Sequence, residues 1–155
     1  MRKLTVLFLC TGNSCRSQMS EAILRDKYGD RFDAHSAGTD PKGVHPLTVR
    51  VLEEIGIDAS KLRSKSVKEY LGRLWVHYLI IVCQHAEESC PRIFPGMVQR
   101  LLWKFDDPPA FQGTEVEKLE KFRQVRDEIA TAIDVWVTLL DESGAIETVE
   151  GGQVG

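Results

Sequence analysis

Apolar positions along the chain fall into short unbroken runs and longer periodic stretches, and together they predict alternating strands and helices. Leu4 to Leu9 (LTVLFL) is a continuous apolar run, the pattern of a parallel strand buried on both faces. A glycine-containing turn follows. Ser17 then opens a helical stretch, Gln18 to Tyr28, with Met19, Ala22 and Ile23 on one face and Gly29 as a stop. Phe32 to Gly38 reads as a second strand, and Asp40-Pro41-Lys42-Gly43 has turn chemistry. Pro46 suits the first turn of a helix running to about Ile55, with Val51, Leu52 and Ile55 inward and Gly56 at its end. Ser66 is placed to cap a short helix through Leu74. Tyr78 to Val82 is a third buried strand that delivers Cys83 at its end. Cys90 to Met97, with two prolines and a glycine, reads as loop, and Leu101 to Phe105 as a fourth strand. Leu119, Phe122, Val125, Ile129, Ala132, Ile133, Trp136 and Leu140 keep a helical period from about Val116. From Glu142 the periodicity is lost. The expected organisation is therefore a single domain over residues 1–141 and a mobile tail over 142–155.

Strands alternating with helices predict an α/β fold, a three-layer sandwich with a four-stranded parallel sheet between helices. Ligands of such sheets bind at the carboxyl ends of the strands, where Cys10 and Cys83 both emerge. A chain of 155 residues, 43% hydrophobic and 28% charged, fits one soluble domain. The apolar run after Met1-Arg2-Lys3 is too short for a signal peptide and leads into Cys-Thr-Gly-Asn, and no segment is long enough to span a membrane. A cytoplasmic monomer is expected. Net charge of -3 argues against nucleic acid as a partner, but a small anion needs only a local cluster of donors. Four cysteines, at 10, 15, 83 and 90, suggest catalytic or redox roles over structural disulfides, and their spacing lacks the usual zinc knuckle, so no metal is expected.

Cys10-Thr11-Gly12-Asn13-Ser14-Cys15-Arg16-Ser17 sets Cys-x5-Arg-Ser between a strand and a helix. Gly12 and Asn13 tolerate the positive φ angles that curl a loop until its backbone N–H groups point inward. The following helix aims its N-terminus at the same point, and Arg16 can offer a fork to two oxygens of a tetrahedral anion. These groups should lower the Cys10 pKa well below its free value of ~8.5, with Ser17 donating a further hydrogen bond to the thiolate. The loop thus reads as a nucleophile in an oxyanion cradle.

That loop resembles the low-molecular-weight protein tyrosine phosphatase superfamily. So do Ser36-Ala37-Gly38-Thr39 and Gly43-x-His45-Pro46 leading into Gly56-Ile57-Asp58, and the likeness runs from about Leu4 to Leu140. Two activities share this loop in the superfamily, phosphate-ester hydrolysis and thioredoxin-coupled arsenate reduction. Three features resemble the reductases: Cys83 and Cys90 in VCQHAEESCP, Gln18-Met19 where phosphatases tend to have proline, and Trp103-Lys104-Phe105-Asp106-Asp107-Pro108. Phosphatases usually follow Asp-Pro with an aromatic residue, whereas here Pro109 takes that place.

The resemblance implies a relay. Cys10 attacks arsenate held by Arg16 and the loop amides of Thr11 to Ser17, and Asp107, with Asp106 as the adjacent alternative, protonates the departing oxygen. Cys83 then attacks Cys10, releasing arsenite, and Cys90 moves the disulfide outward, where thioredoxin reduces it. Glutaredoxin would leave much the same cysteine signature. Phosphate and sulfate are expected mimics of the substrate, and weak phosphatase activity is expected with them. Cys15 is read as packing. The other readings are a tyrosine phosphatase with incidental cysteines, or a non-catalytic phosphate-binding or redox-sensing module.

No bound cofactor is expected. The reductases often hold a potassium ion on residues matching Asn13, Glu21 and Ser36 plus an aspartate, but Lys65 stands at the aspartate's position. A solvated lysine is the ordinary reading of Lys65; the alternative is that its ammonium replaces the ion and pairs with Glu21. His85 is read as a surface residue, Trp75, Trp103 and Trp136 as core or edge packing, and Pro109 to Glu117 as a longer segment than compact relatives carry.

Overall fold

The computed structural model describes residues 2–82 and 97–143. Cys83, His85, Cys90 and the loop expected ahead of Met97 lie outside the described residues, as does the tail beyond Ser143. The described elements, in chain order, are β1 (Leu4–Cys10), α1 (Arg16–Tyr28), β2 (Phe32–Gly38), α2 (Pro46–Glu53), a 3-10 turn (Val67–Glu69), β3 (Val76–Ile81), β4 (Met97–Leu102), a second 3-10 turn (Pro108–Ala110) and α3 (Glu115–Ser143).

The four strands form one parallel sheet in the order β2-β1-β3-β4, the α/β fold that the alternation predicts. β1 lies inside, pairing Leu4 to Cys10 with Phe32 to Gly38 on one side and Val6 to Leu9 with Tyr78 to Ile81 on the other. That interior place explains its run of apolar residues, since both faces of β1 are covered. α3 packs against both α1 and α2. Its Trp136 closes against Phe32 of β2 and Tyr78 of β3, with ring centroids 5.3 and 5.1 Å away, and against Trp103 at 5.7 Å. Trp75, by contrast, is 62% exposed and lies outside the buried core.

Several boundaries differ from the sequence expectation, each for a local reason. α2 ends at Glu53, and Ile55 faces outward. Gly56 adopts φ +83°, Gly56 N–H donates to Glu53 O and Ile57 N–H to Leu52 O, so Ile57 folds back to take the inward place expected of Ile55. The helix expected through Leu74 is only the 3-10 turn Val67–Glu69. Ser66 does cap it, accepting from Lys68 N, but a left-handed residue at Gly72 turns the chain away. β4 begins at Met97 and stops at Leu102, short of the expected Phe105; as the outer strand it carries exposed Val98, Gln99 and Arg100, which break the apolar run that the expectation followed. α3 continues through Glu142 and Ser143, both assigned to the tail by sequence. Its start is fixed by a reciprocal capping box: Thr114 N–H donates to Glu117 Oε1 and Glu117 N–H to Thr114 Oγ1.

Glu54, just past α2, clamps that helix to α3. It accepts from Arg123 Nη2 at 2.6 Å and from Arg126 Nη1 at 3.0 Å, and Arg126 also donates to Val51 O. Hydrogen bonds from Arg123, then its charge and that of Arg126, pull the Glu54 carboxyl down to about 2 from an ordinary 4.5. A depressed folded pKa means that the unfolded chain takes up the proton first as the solution is acidified. The Glu54 contribution is therefore complete above pH 4.5 and is lost as pH falls towards 2. Urea unfolding across that range is expected to show wild type losing stability with acid faster than Glu54→Gln; parallel pH dependences would exclude the clamp.

Candidate functional site

The carboxyl end of β1 runs directly into the loop from Cys10 to Arg16. Its left-handed residue is Asn13, at φ 47°, the one non-glycine with positive φ among the described residues; Gly12 is not left-handed, contrary to the sequence expectation. A Cβ at Gly12 would come within 3.3 Å of the flexible Lys42 side chain, a tight contact that a small shift of that lysine relieves. The loop carbonyls face outward to the segment after β2. Cys10, Thr11, Gly12 and Ser14 accept from the backbone N–H groups of Thr39, Asp40, Lys42 and His45. With the carbonyls turned out, the intervening N–H groups are left to face the concavity. Gly38 lies so close beneath that a Cβ would come 2.5 Å from Thr11 O.

Cys10 Sγ sits at the bottom of this curl, 3% exposed. The Asn13 N–H donates to it at 3.2 Å, and Ser17 Oγ lies 2.8 Å away. Ser17 Oγ already accepts from Asn13 Nδ2 at 2.8 Å, which leaves its own proton free to point at the sulfur. α1 begins at Arg16 with no side-chain cap, so its first N–H groups are left for an anion. Arg16 reaches across the concavity: Nη1 donates to Phe105 O at 3.1 Å, and Nη2 lies 3.4 Å from Asp107 Oδ1. Cys10, Arg16 and Asp107 thus meet in one cavity of about 490 Å³, walled by Lys42, His45 and Pro109.

Asp106, the alternative acid, does not line this cavity. It pairs with Lys121 of α3 at 2.7 Å, and that hydrogen bond holds its carboxyl below the usual range. Cys15 is buried in the core cluster, where desolvation pushes its thiol up. Cys83 and Cys90 lie outside the described residues. The chain is described up to Val82, whose N–H donates to Leu9 O at 2.9 Å, one residue before Cys10.

His45 was quoted from the sequence only as part of a pattern. Its Nδ1 caps α2 by accepting from Leu47 N, its ring lies 4.8 Å from that of Phe122, and burial lowers its pKa, which leaves Nε2 to carry the proton of the neutral ring. Gln18 is wholly buried. Its Nε2 donates to Asn13 O, Asn13 Oδ1 and Arg63 O.

Lys65 is not solvated: it is 7% exposed, in a buried polar cluster beneath the loop. Its backbone N–H donates to Asn13 Oδ1 at 2.7 Å, and its Nζ lies 3.4 Å from Glu21 Oε1, 3.5 Å from Ser36 Oγ and 2.7 Å from Arg63 O. Asn13, Glu21 and Ser36, the residues expected around a potassium ion, therefore all bond to Lys65 itself. The ammonium thus stands among the side chains expected around the ion and pairs with the Glu21 carboxylate. Burial lowers the Lys65 pKa and the Glu21 charge opposes that shift.

The chain matches the family described as low molecular weight phosphotyrosine protein phosphatase over residues 5–145. It is 43% identical over 133 residues to an arsenate reductase of Halalkalibacterium halodurans, covering 86% of this chain and 94% of that one. Among solved structures it is similar to an arsenate reductase in the phosphate binding state (26% identity, TM-score 0.70, 87% of this chain and 97% of that one). It is also similar to a thioredoxin-dependent arsenate reductase from Corynebacterium glutamicum (27% identity, TM-score 0.61, 86% of this chain and 63% of that one).

Removing one partner of the buried Lys65–Glu21 pair leaves a charge uncompensated, which typically costs 3–5 kcal/mol. Arg25 also pairs with Glu21, at 3.1 Å, so Lys65→Met is expected at the low end, ~3 kcal/mol by urea denaturation. Adding Glu21→Gln to Lys65→Met should recover part of that loss. Replacing sodium with potassium should leave the wild-type Tm unchanged; a marked rise would overturn the view that Lys65 fills the cation's place.

Proposed function

We propose that this chain, which belongs to the low molecular weight phosphotyrosine protein phosphatase family, is an arsenate reductase whose nucleophile is Cys10. One observation carries the reading. Cys10 Sγ accepts from the Asn13 N–H and lies beside Ser17 Oγ, in a cavity that Arg16 and Asp107 share. Hydrogen bonds to the sulfur and the facing helix end favour a thiolate. A binding module has no need of a carboxyl beside the anion's outward oxygen.

Arsenate sits with its oxygens on the loop N–H groups and the Arg16 fork. Cys10 Sγ forms a bond to arsenic as an As–O bond breaks, and Asp107 supplies the proton that lets the oxygen leave as water. Cys83 thiolate then attacks Cys10 Sγ. The new S–S bond replaces the S–As bond, whose electron pair stays on arsenic, so arsenic(V) becomes arsenic(III) and leaves as arsenite. Cys90 attacks Cys83 and frees Cys10 as thiolate. A dithiol donor of the thioredoxin class reduces the Cys83–Cys90 disulfide in the cytoplasm, where thiols are kept reduced. The phosphatase reading shares the first step, since phosphate has the shape of arsenate, and differs in that water rather than Cys83 removes the group from Cys10. The names of the relatives support reduction, and so does the presence of Cys83 and Cys90.

Arsenate, thioredoxin, thioredoxin reductase and NADPH should give steady NADPH oxidation with wild type. Cys10→Ser, Cys83→Ser and Cys90→Ser should each fall to the rate without enzyme. Unchanged turnover in both Cys83→Ser and Cys90→Ser would sink the relay. Rapid hydrolysis of phosphotyrosine peptides, with no arsenate turnover, would establish the phosphatase instead.

A further inference from the structure

Asp107 reaches the cavity on a segment, Phe105 to Pro109, that is held from two sides. From within, Arg16 donates to Phe105 O and lies 3.4 Å from Asp107 Oδ1. From without, Lys121 Nζ bonds Asp106 Oδ2 at 2.7 Å. These two holds do not persist equally through a turnover. An anion in the cradle takes the Arg16 fork, so the inner hold on Asp107 weakens when the acid is needed.

Lys121 is well founded for the outer hold. It stands in α3 close to Leu119 and next to Phe122, both buried, and its own side chain is only 16% exposed. Its Nζ lies 5.8 Å from the ring centroid of Phe111, the residue just past the turn that follows the segment. Asp107 has extended backbone, φ -86° and ψ 103°. Asp106 bonds Lys121 outside while the next residue, Asp107, lines the cavity, so the two side chains point to opposite sides and fixing one outward favours the other inward.

We propose that Lys121 is a positioning residue for the reaction: through its ion pair with Asp106 it holds Asp107 at the cavity once the substrate has taken Arg16. This rests on the reading of Asp107 as the proton donor. It also gives Asp106 a task distinct from that of its neighbour, as an anchor and not a second acid. Pro108 is buried and its turn packs against α3, so loss of Lys121 loosens the segment without releasing it. An ion pair to the exposed Asp106 contributes little to folding, and Lys121→Ala should therefore fold normally.

The test is a single turnover of reduced protein without thioredoxin, following arsenite release over a range of arsenate concentrations in excess of protein. For Lys121→Ala we expect the maximal rate to fall roughly three- to fivefold, the size an exposed pair can bias, with half-saturating arsenate and phosphate inhibition unchanged. Lys121→Arg should restore most of the rate. Asp106→Ala should show the same loss, and Lys121→Ala should add nothing to it. A full rate in Lys121→Ala beside a large loss in Asp107→Asn would overturn the tether and leave the acid standing. If Asp107→Asn also keeps a full rate, the acid assignment falls and the tether with it. Absence of arsenite from wild type would overturn the functional reading from which both follow.

Discussion

The site depends on the side chain of one asparagine. Asn13 Nδ2 donates to Ser17 Oγ and Ser36 Oγ, and its Oδ1 accepts from Lys65 N and Gln18 Nε2. A carboxamide has two donor protons and two acceptor lone pairs, and here all four are in use. That saturation holds the backbone at φ 47°, a region which costs most side chains strain and which asparagine tolerates best after glycine. The strained turn in its place sets Asn13 N–H against Cys10 Sγ and frees the Ser17 proton for the same sulfur. Beneath it, Lys65, Glu21 and Ser36 supply the rigid floor on which the carboxamide rests.

How much of this the sequence revealed varied with the range of the interactions involved. The β1–loop–α1 unit was readable because its signal is local: an apolar run, a turn and Arg16 lie within about one strand and one turn of helix. β2 was readable to its ends for the same reason. Lys65 was not. A lysine is ordinarily exposed, and nothing near it in sequence announces Glu21, which comes from a helix 44 residues earlier. Val51 and Leu52 of α2 face inward as expected, but the next inward place falls to Ile57 and not Ile55, because the turn at Gly56 reverses the chain and a helical period cannot anticipate a reversal. β4 was placed late because its first half, from Val98 to Arg100, is exposed and partly polar and carries little apolar signal. Asp106 and Asp107 are chemically identical neighbours, distinguished by their distant partners, Lys121 of α3 for the first and Arg16 for the second.

Electrostatics at the mouth of the cavity follow from local placement and not from net charge. A protein of net charge -3 still gathers Arg16, Lys42 and the start of α1 around one concavity. Asp107 also faces this concavity, with its Oδ1 3.4 Å from Arg16 Nη2. An anion in the cradle must therefore compete with Asp107 for the guanidinium.

The parallel pairing of β1 with β3 has an evolutionary consequence. Leu9 stands opposite Ile81, and the Val82 N–H bonds Leu9 O, so the two chains leave the sheet side by side, a strand spacing of about 4.8 Å apart. β3 thus ends beside the nucleophile's own strand, with Val82 still in the core. On the reading proposed above, thiol exchange and hydrolysis on this scaffold differ by side chains alone, so either can arise from the other with the sheet and the anion cradle inherited intact.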